Sequence, residues 1–195
     1  YIILSVISTS LFILLQNFVS LYTADISNKE DYINPLLGGL MITNMMLHNV
    51  KTPQGMLVLS AGLFKETRWQ TTTQGALAII CGALLGYFFG IYGIIVGIII
   101  SNIYRDIDLM FFIPTRVTGL DWISTASKII VMFVSIGFSV IILNLIILNS
   151  HSWITWIIDG FICVIIALII TVIIFYIFFP KIIKESFQQL KAIKR

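Results

Sequence analysis

Asn44, His48 and Lys51 stand four and three residues apart in an otherwise apolar stretch, the spacing of one helical face. That stripe carries hydrogen-bonding groups at one end and a cation at the other. A second stripe, Ser5, Thr9, Gln16 and Ser20, recurs at helical spacing in the first apolar run. Polar side chains in such surroundings are costly unless they face protein or a water-filled cavity, so both stripes are candidates to line a common polar cavity, with Gln16, Asn44, His48 and Lys51 as its leading residues. The competing meaning is plain hydrogen bonding between packed helices. Asp159, one or two turns into the last apolar run, is the candidate coupling acid if it exchanges a proton, and an interface-seeking side chain if it does not. Ser135, Ser139 and Asn144 form a weaker polar face, and Lys128 is placed to snorkel to an interface.

Enzyme chemistry finds little foothold. The chain has no HExxH, GxSxG or phosphate-binding loop, no pair of acids within one apolar run, and two histidines, His48 and His151, far apart in sequence. Cys81 and Cys163 lie in separate apolar runs, without the spacing of a metal pair or a disulfide framework, and are expected to be packing residues. No catalytic residue, metal, cofactor or nucleic-acid partner is expected.

The elements that carry these residues follow from composition. Of 195 residues, 58% are apolar and 11% charged, with a mean hydropathy of +1.02. A soluble domain averages about 25% charged residues, and several runs here are long enough to cross a hydrocarbon core of roughly 30 Å. The expected fold is therefore all-α and polytopic, with six transmembrane helices over about 1–21, 32–50, 69–89, 92–110, 123–148 and 153–179. Residues 51–68 read as a cytoplasmic or interfacial helical segment that could also extend the second span. The acidic stretch TADISNKEDY reads as an external loop, RDIDLMFFIPTRVTGLD as an internal one, and Pro180 as the stop of the last span. The tail, 181–195, alternates apolar and basic residues at helical spacing, as in a helix lying on an anionic membrane surface; a solvated basic tail is the alternative. The chain opens on Tyr1 without a basic leader, and is expected to be part of something longer.

The uncharged run from Trp69 to Tyr104 would make a helix of roughly 54 Å, too long for one span. Gly90-Ile-Tyr-Gly93 is the expected turn between two spans. Gly82, Gly86, Gly90, Gly93 and Gly97 recur every three or four residues, so the central pair would make the turn and the others would let backbones approach closely. Such a face is either static packing or a sliding surface. Nearly all the basic residues fall on the side that holds both ends of a six-span chain, leaving Lys29 opposite, so both termini are expected in the cytoplasm.

Lys51-Thr52-Pro53, then AGLFKETR from Ala61 to Arg68, then the glycine hairpin ending YGIIVGIIIS, resembles the carboxyl-terminal half of a polysaccharide transporter of the Wzx-like branch of the multidrug/oligosaccharidyl-lipid/polysaccharide flippase superfamily. The resemblance is most specific from Leu21 to Ser101 and weakens beyond Asp121. It implies that the six spans form the second lobe of a twelve-or-more-helix flippase whose amino-terminal lobe lies outside this chain. It also implies a cargo, an undecaprenyl-pyrophosphate-linked oligosaccharide carried to the outer leaflet for capsule or exopolysaccharide assembly, with membrane lipids and polysaccharide polymerase or export machinery as partners. Relatives in the lipid II branch use cavity arginines within their spans, whereas here His48 and Lys51 are the nearest basic candidates. Two alternatives stay open: a multidrug or cation antiporter of the same superfamily, which needs a coupling acid, and a membrane-embedded glycan polymerase or transferase. A truncated chain without activity is a third.

Overall fold

A computed structural model describes residues 1–24, 34–119, 121–146, 152–180 and 183. Six α-helices account for most of them: α1 (Ile2–Tyr22), α2 (Pro35–Ser60), α3 (Phe64–Phe89), α4 (Ile91–Ile113), α5 (Trp122–Ile146) and α6 (Trp153–Phe178). A π-helical turn, Pro114–Thr118, extends α4. All regular structure among the described residues is helical. Most of the acidic loop from Ala24 onward, His151 and nearly all of the basic tail lie outside the described residues.

Among the described residues, α1, α3, α5 and α6 are long and apolar enough to cross a membrane, which makes this a membrane protein. The two helices that fall short are informative. In α4 the stretch Arg105, Asp106, Asp108 interrupts an otherwise aliphatic sequence, and in α2 the apolar residues are diluted by Asn44, His48, Asn49, Lys51, Thr52 and Gln54.

The chain divides into two units, one of Tyr1–Tyr22 with Lys128–Arg195 and one of Thr23–Ser127, with α5 crossing the division. In the first unit α1 packs on α6. Its apolar core is Val6, Ile13, Leu143, Cys163 and Ala167. Beside it runs a seam of small hydroxyl residues, fully buried: Ser5, Ser8 and Thr9 on α1, Ser135 and Ser139 on α5, and Thr171 on α6. The Ser135 hydroxyl lies 3.2 Å from that of Ser5 and 2.8 Å from the Met132 carbonyl. Small side chains allow the helix axes to approach and gain dispersion contact where no hydrophobic effect drives association.

Helix α6 starts on Ser152, whose capping box with Thr155 satisfies first-turn amides. Phe18 stacks on Tyr22 and meets Trp153 and Trp156 edge-on or tilted. The Trp156 indole Nε1 donates to the Leu14 carbonyl at 3.2 Å. Trp156→Phe keeps the ring contacts and loses that bond, so it is expected to cost about 1 kcal/mol. In a scan of the protein in detergent micelles this reads as a midpoint lowered by about 2–4 °C; an unchanged midpoint would mean that the bond contributes nothing.

In the second unit α3 and α4 form an antiparallel hairpin and α2 packs on α4. Asn34 caps α2, its Oδ1 accepting from the Leu37 amide at 3.0 Å while its Nδ2 donates to the Tyr92 hydroxyl, and Pro35 follows at the first helical position. Residues 51–68 are not a separate element. Helix α2 continues through Pro53 to Ser60, a three-residue turn follows, and α3 begins at Phe64. Proline removes one backbone donor from α2, and Thr52 Oγ1 donates to the neighbouring His48 carbonyl at 2.8 Å. The turn is a Schellman closure: Gly62 takes φ +71°, and the Leu63 amide reaches back to the Val58 carbonyl at 3.2 Å. Leu63 then packs against the cluster of Val58, Leu109 and Ile113.

The α3–α4 turn is tighter than the four residues expected for it. Gly90 alone, at φ +60°, separates the two helices. Gly93 sits inside α4, where a Cβ would collide with the Leu85 carbonyl, and a Cβ on Gly97 would collide with the Gly82 backbone. Gly86 faces Ile94, whose Cγ1 would lie 2.8 Å from an added Cβ, while Gly82 approaches the Ile94 carbonyl more loosely at 3.9 Å. The region from Arg105 to Ile113, expected to begin a loop, continues α4, and the chain leaves the helix through the π-helical turn closed by the Gly119 amide on the Pro114 carbonyl at 3.0 Å. Charged residues do not end a helix when they find partners along it, and Arg105 binds Asp108 three residues on.

Candidate functional site

The polar residues of the second unit converge on Asn102. From α2, Lys51 Nζ donates to Asn102 Oδ1, and Asn44 Oδ1 accepts from Asn102 Nδ2 at 2.8 Å. From α3, Gln74 Nε2 donates to Asn102 Oδ1 at 3.3 Å, while the Gln74 carbonyl accepts from Ser101 Oγ at 3.0 Å. Asn102 is only 4% exposed. Its amide is thus used in full sense, the oxygen accepting twice and the nitrogen reaching across to a second helix.

Two groups beside this network are not satisfied by it. Both carboxylate oxygens of Asp106, one turn beyond Asn102 on α4, are buried and lack a hydrogen-bond partner. Gln54, one turn beyond Lys51 on α2 and 6% exposed, has neither its amide oxygen nor its nitrogen bonded. Buried polar atoms in native proteins are nearly always paired, so two such groups on neighbouring helices mark a place built for something other than stability.

Toward the Pro53 end of the same unit, α2 and α3 splay apart over α4 and leave an open groove of about 560 Å³. Thr52, Thr67, Thr71, Arg68 and Arg105 are among its lining residues. Arg105 is 7% exposed and bound to Asp108, whereas Arg68 is exposed and lies 5.9 Å from the Trp69 ring centroid. The exposed Arg68 brings a guanidinium to a largely apolar groove while the charge of Arg105 is offset by Asp108, and Arg forks suit phosphate oxygens.

Of the residues singled out from sequence, Asn44 and Lys51 meet through Asn102. His48, between them on the same stripe, has an exposed side chain, and only its backbone carbonyl is engaged, by Thr52. Gln16 and Asp159 belong to the other unit, on α1 and α6. Sequence inspection passed over Gln74 and Asn102 in the network, and Gln54 and Asp106 beside it. Their signal was present: Ser101 with Arg105 and Asn102 with Asp106 are pairs at i, i+4 within the helix expected over about 92–110.

Among the described residues the chain is helical, with four helices apolar enough to cross a membrane, as in a membrane protein, and a buried polar network joins α2, α3 and α4. Compared with protein-family models, curated proteins and solved structures, the chain finds no match.

Proposed function

We propose that the chain forms one six-span lobe of a flippase in the cytoplasmic membrane, both termini inside, that carries a polyprenyl-pyrophosphate-linked oligosaccharide to the outer leaflet for capsule or exopolysaccharide synthesis. The observation that carries this reading is the pooling of Asn44, Lys51, Gln74, Asn102 and Asp106 on the α2–α4 side of the unit. Amides and hydroxyls match saccharide hydroxyls, and the groove bearing Arg68 and Arg105 matches a diphosphate. The lipid tail stays in the bilayer while the two lobes rock about the polar region. The resemblance described above supplies the cargo class, and the cluster gives it chemistry.

Depletion of the full-length protein in cells is expected to leave lipid-linked saccharide on the inner leaflet, inaccessible to an extracellular lectin. Wild type restores exposure, and a variant with Arg68→Ala and Arg105→Ala together restores about tenfold less. Normal exposure in depleted cells, with altered drug or cation efflux, would instead establish the antiporter. Asp106 favours that second reading, because it supplies the buried acid such a protein needs, at a different position from Asp159.

A further inference from the structure

Lys51 is the one Lys or Arg on α2, it interacts electrostatically with Asp106, and the side-chain hydrogen bond it makes goes to Asn102. On α4 itself Arg105 is committed to Asp108. From α3, Gln74 joins the network and brings no charge. Asp106 is therefore a carboxyl group that electrostatics holds within reach of an ammonium and geometry keeps from pairing with it. Asp106 and Asn102 are i, i+4, so the network residue that retains Lys51 also sits directly beside the acid.

An unpaired carboxylate out of water has three means of relief: a cation that moves to it, water, or a proton. The ammonium beside it already supplies one positive charge, which disfavours entry of a metal ion. Water and a proton remain, and Gln54, unbonded on the helix packed against α4, suits both. An unbonded amide can donate N–H to a carboxylate or accept O–H from a carboxylic acid, and so can serve either form.

We propose that Asp106 is a proton-exchange site, in which uptake of a proton from solvent at Oδ1 or Oδ2 leaves Lys51 on Asn102 and loss of that proton to solvent draws Lys51 toward the carboxylate. The step makes and breaks one O–H bond and changes nothing else covalently. Each cycle alters which helix-bridging bonds exist between α2 and α4, so it couples a proton to the packing of these two helices. Its use in driving transport rests on the function proposed above; the proton binding itself does not.

The test is infrared difference spectroscopy of the purified chain in detergent micelles between about pH 6 and about pH 9, above the range of about pH 4 in which ordinary Asp and Glu carboxyls take up protons. A protonated-carboxyl C=O band is expected, reversible with pH, lost in Asp106→Asn and retained in Asp108→Asn. A band that persists in Asp106→Asn overturns the proposal. If that variant does not fold, Lys51→Gln decides: it is expected to move the midpoint of the band by about one pH unit, as removal of a charge close to a carboxyl does, and an unmoved midpoint overturns the assignment. Replacing sodium with choline leaves the midpoint unchanged if the ligand is a proton, and a sodium-dependent midpoint overturns it in favour of a metal cation. Titration without any effect of Asp106→Asn on saccharide exposure would sink the flippase coupling alone.

Discussion

Gly97→Leu is expected to destroy the α3–α4 hairpin, and even Gly97→Ala is expected to cost about 3 kcal/mol, the upper end for overpacking. The atoms that a Cβ at residue 97 would strike are the backbone N and Cα of Gly82 and the backbone of Cys81. A side chain could rotate away from a new methyl; a helix backbone cannot, so the two helices must separate along their length. Separation forfeits the dispersion contacts that hold helices together in lipid, which the small residues were there to allow. The control is Gly75→Ala on α3, where an added Cβ meets nothing within 4 Å. That change should be neutral or stabilise by about 0.5–1 kcal/mol through helix propensity. Thermal unfolding in micelles, followed by helical circular dichroism, separates the cases. Equal midpoints for Gly97→Ala and Gly75→Ala would mean that the hairpin backbones do not approach this closely.

The second large effect falls on Asn102. Asn102→Leu holds the volume roughly constant and removes both the acceptor and the donor on which Asn44, Lys51 and Gln74 depend. Orphaned buried polar groups cost about 1–3 kcal/mol each in proteins generally, while interhelical hydrogen bonds in membranes average nearer 0.6. With three bonds lost, a total of at least about 2 kcal/mol follows from the membrane average, together with loss of saccharide exposure in cells. The double-mutant cycle with Asn44→Leu should show coupling of at least about 0.5 kcal/mol, because one bond joins the pair. His48→Leu, on the same stripe with an exposed side chain, should change stability by no more than about 0.5 kcal/mol. If His48→Leu proves as damaging as Asn102→Leu, the network drawn around Asn102 is the wrong one.

The cluster also accounts for the polar residues of α2 and the charged residues of α4. A helix exposed to lipid on most of its surface must be apolar nearly throughout, and α6, whose one charged residue is Asp159, meets that demand. A helix with a polar face survives in lipid only if another helix covers that face. Helices α2 and α4 supply this cover to each other, with Gln74 closing the network from α3. Charge that would be prohibitive on either helix alone is therefore carried jointly.

Helical class and membrane setting were legible in the chain because they depend on local quantities: apolar runs of sufficient length, scarce charge, and glycine at the one place where a 36-residue run had to break. The Asn44 and Lys51 stripe could be drawn from helical spacing, but spacing assigns a face without saying what meets it. Tertiary structure decided that Asn44 and Lys51 meet on Asn102, that His48 stays outside, and that Asp106 is left beside the network unpaired. It also decided the ends of the helices. Arg105, Asp106 and Asp108 look like a loop when each charge is priced against lipid, and become helix once Arg105 has Asp108 and the seam has α2. The reason is physical: a run's length and polarity are properties of consecutive residues, whereas the cost of a buried polar group depends on partners 28 to 58 positions away.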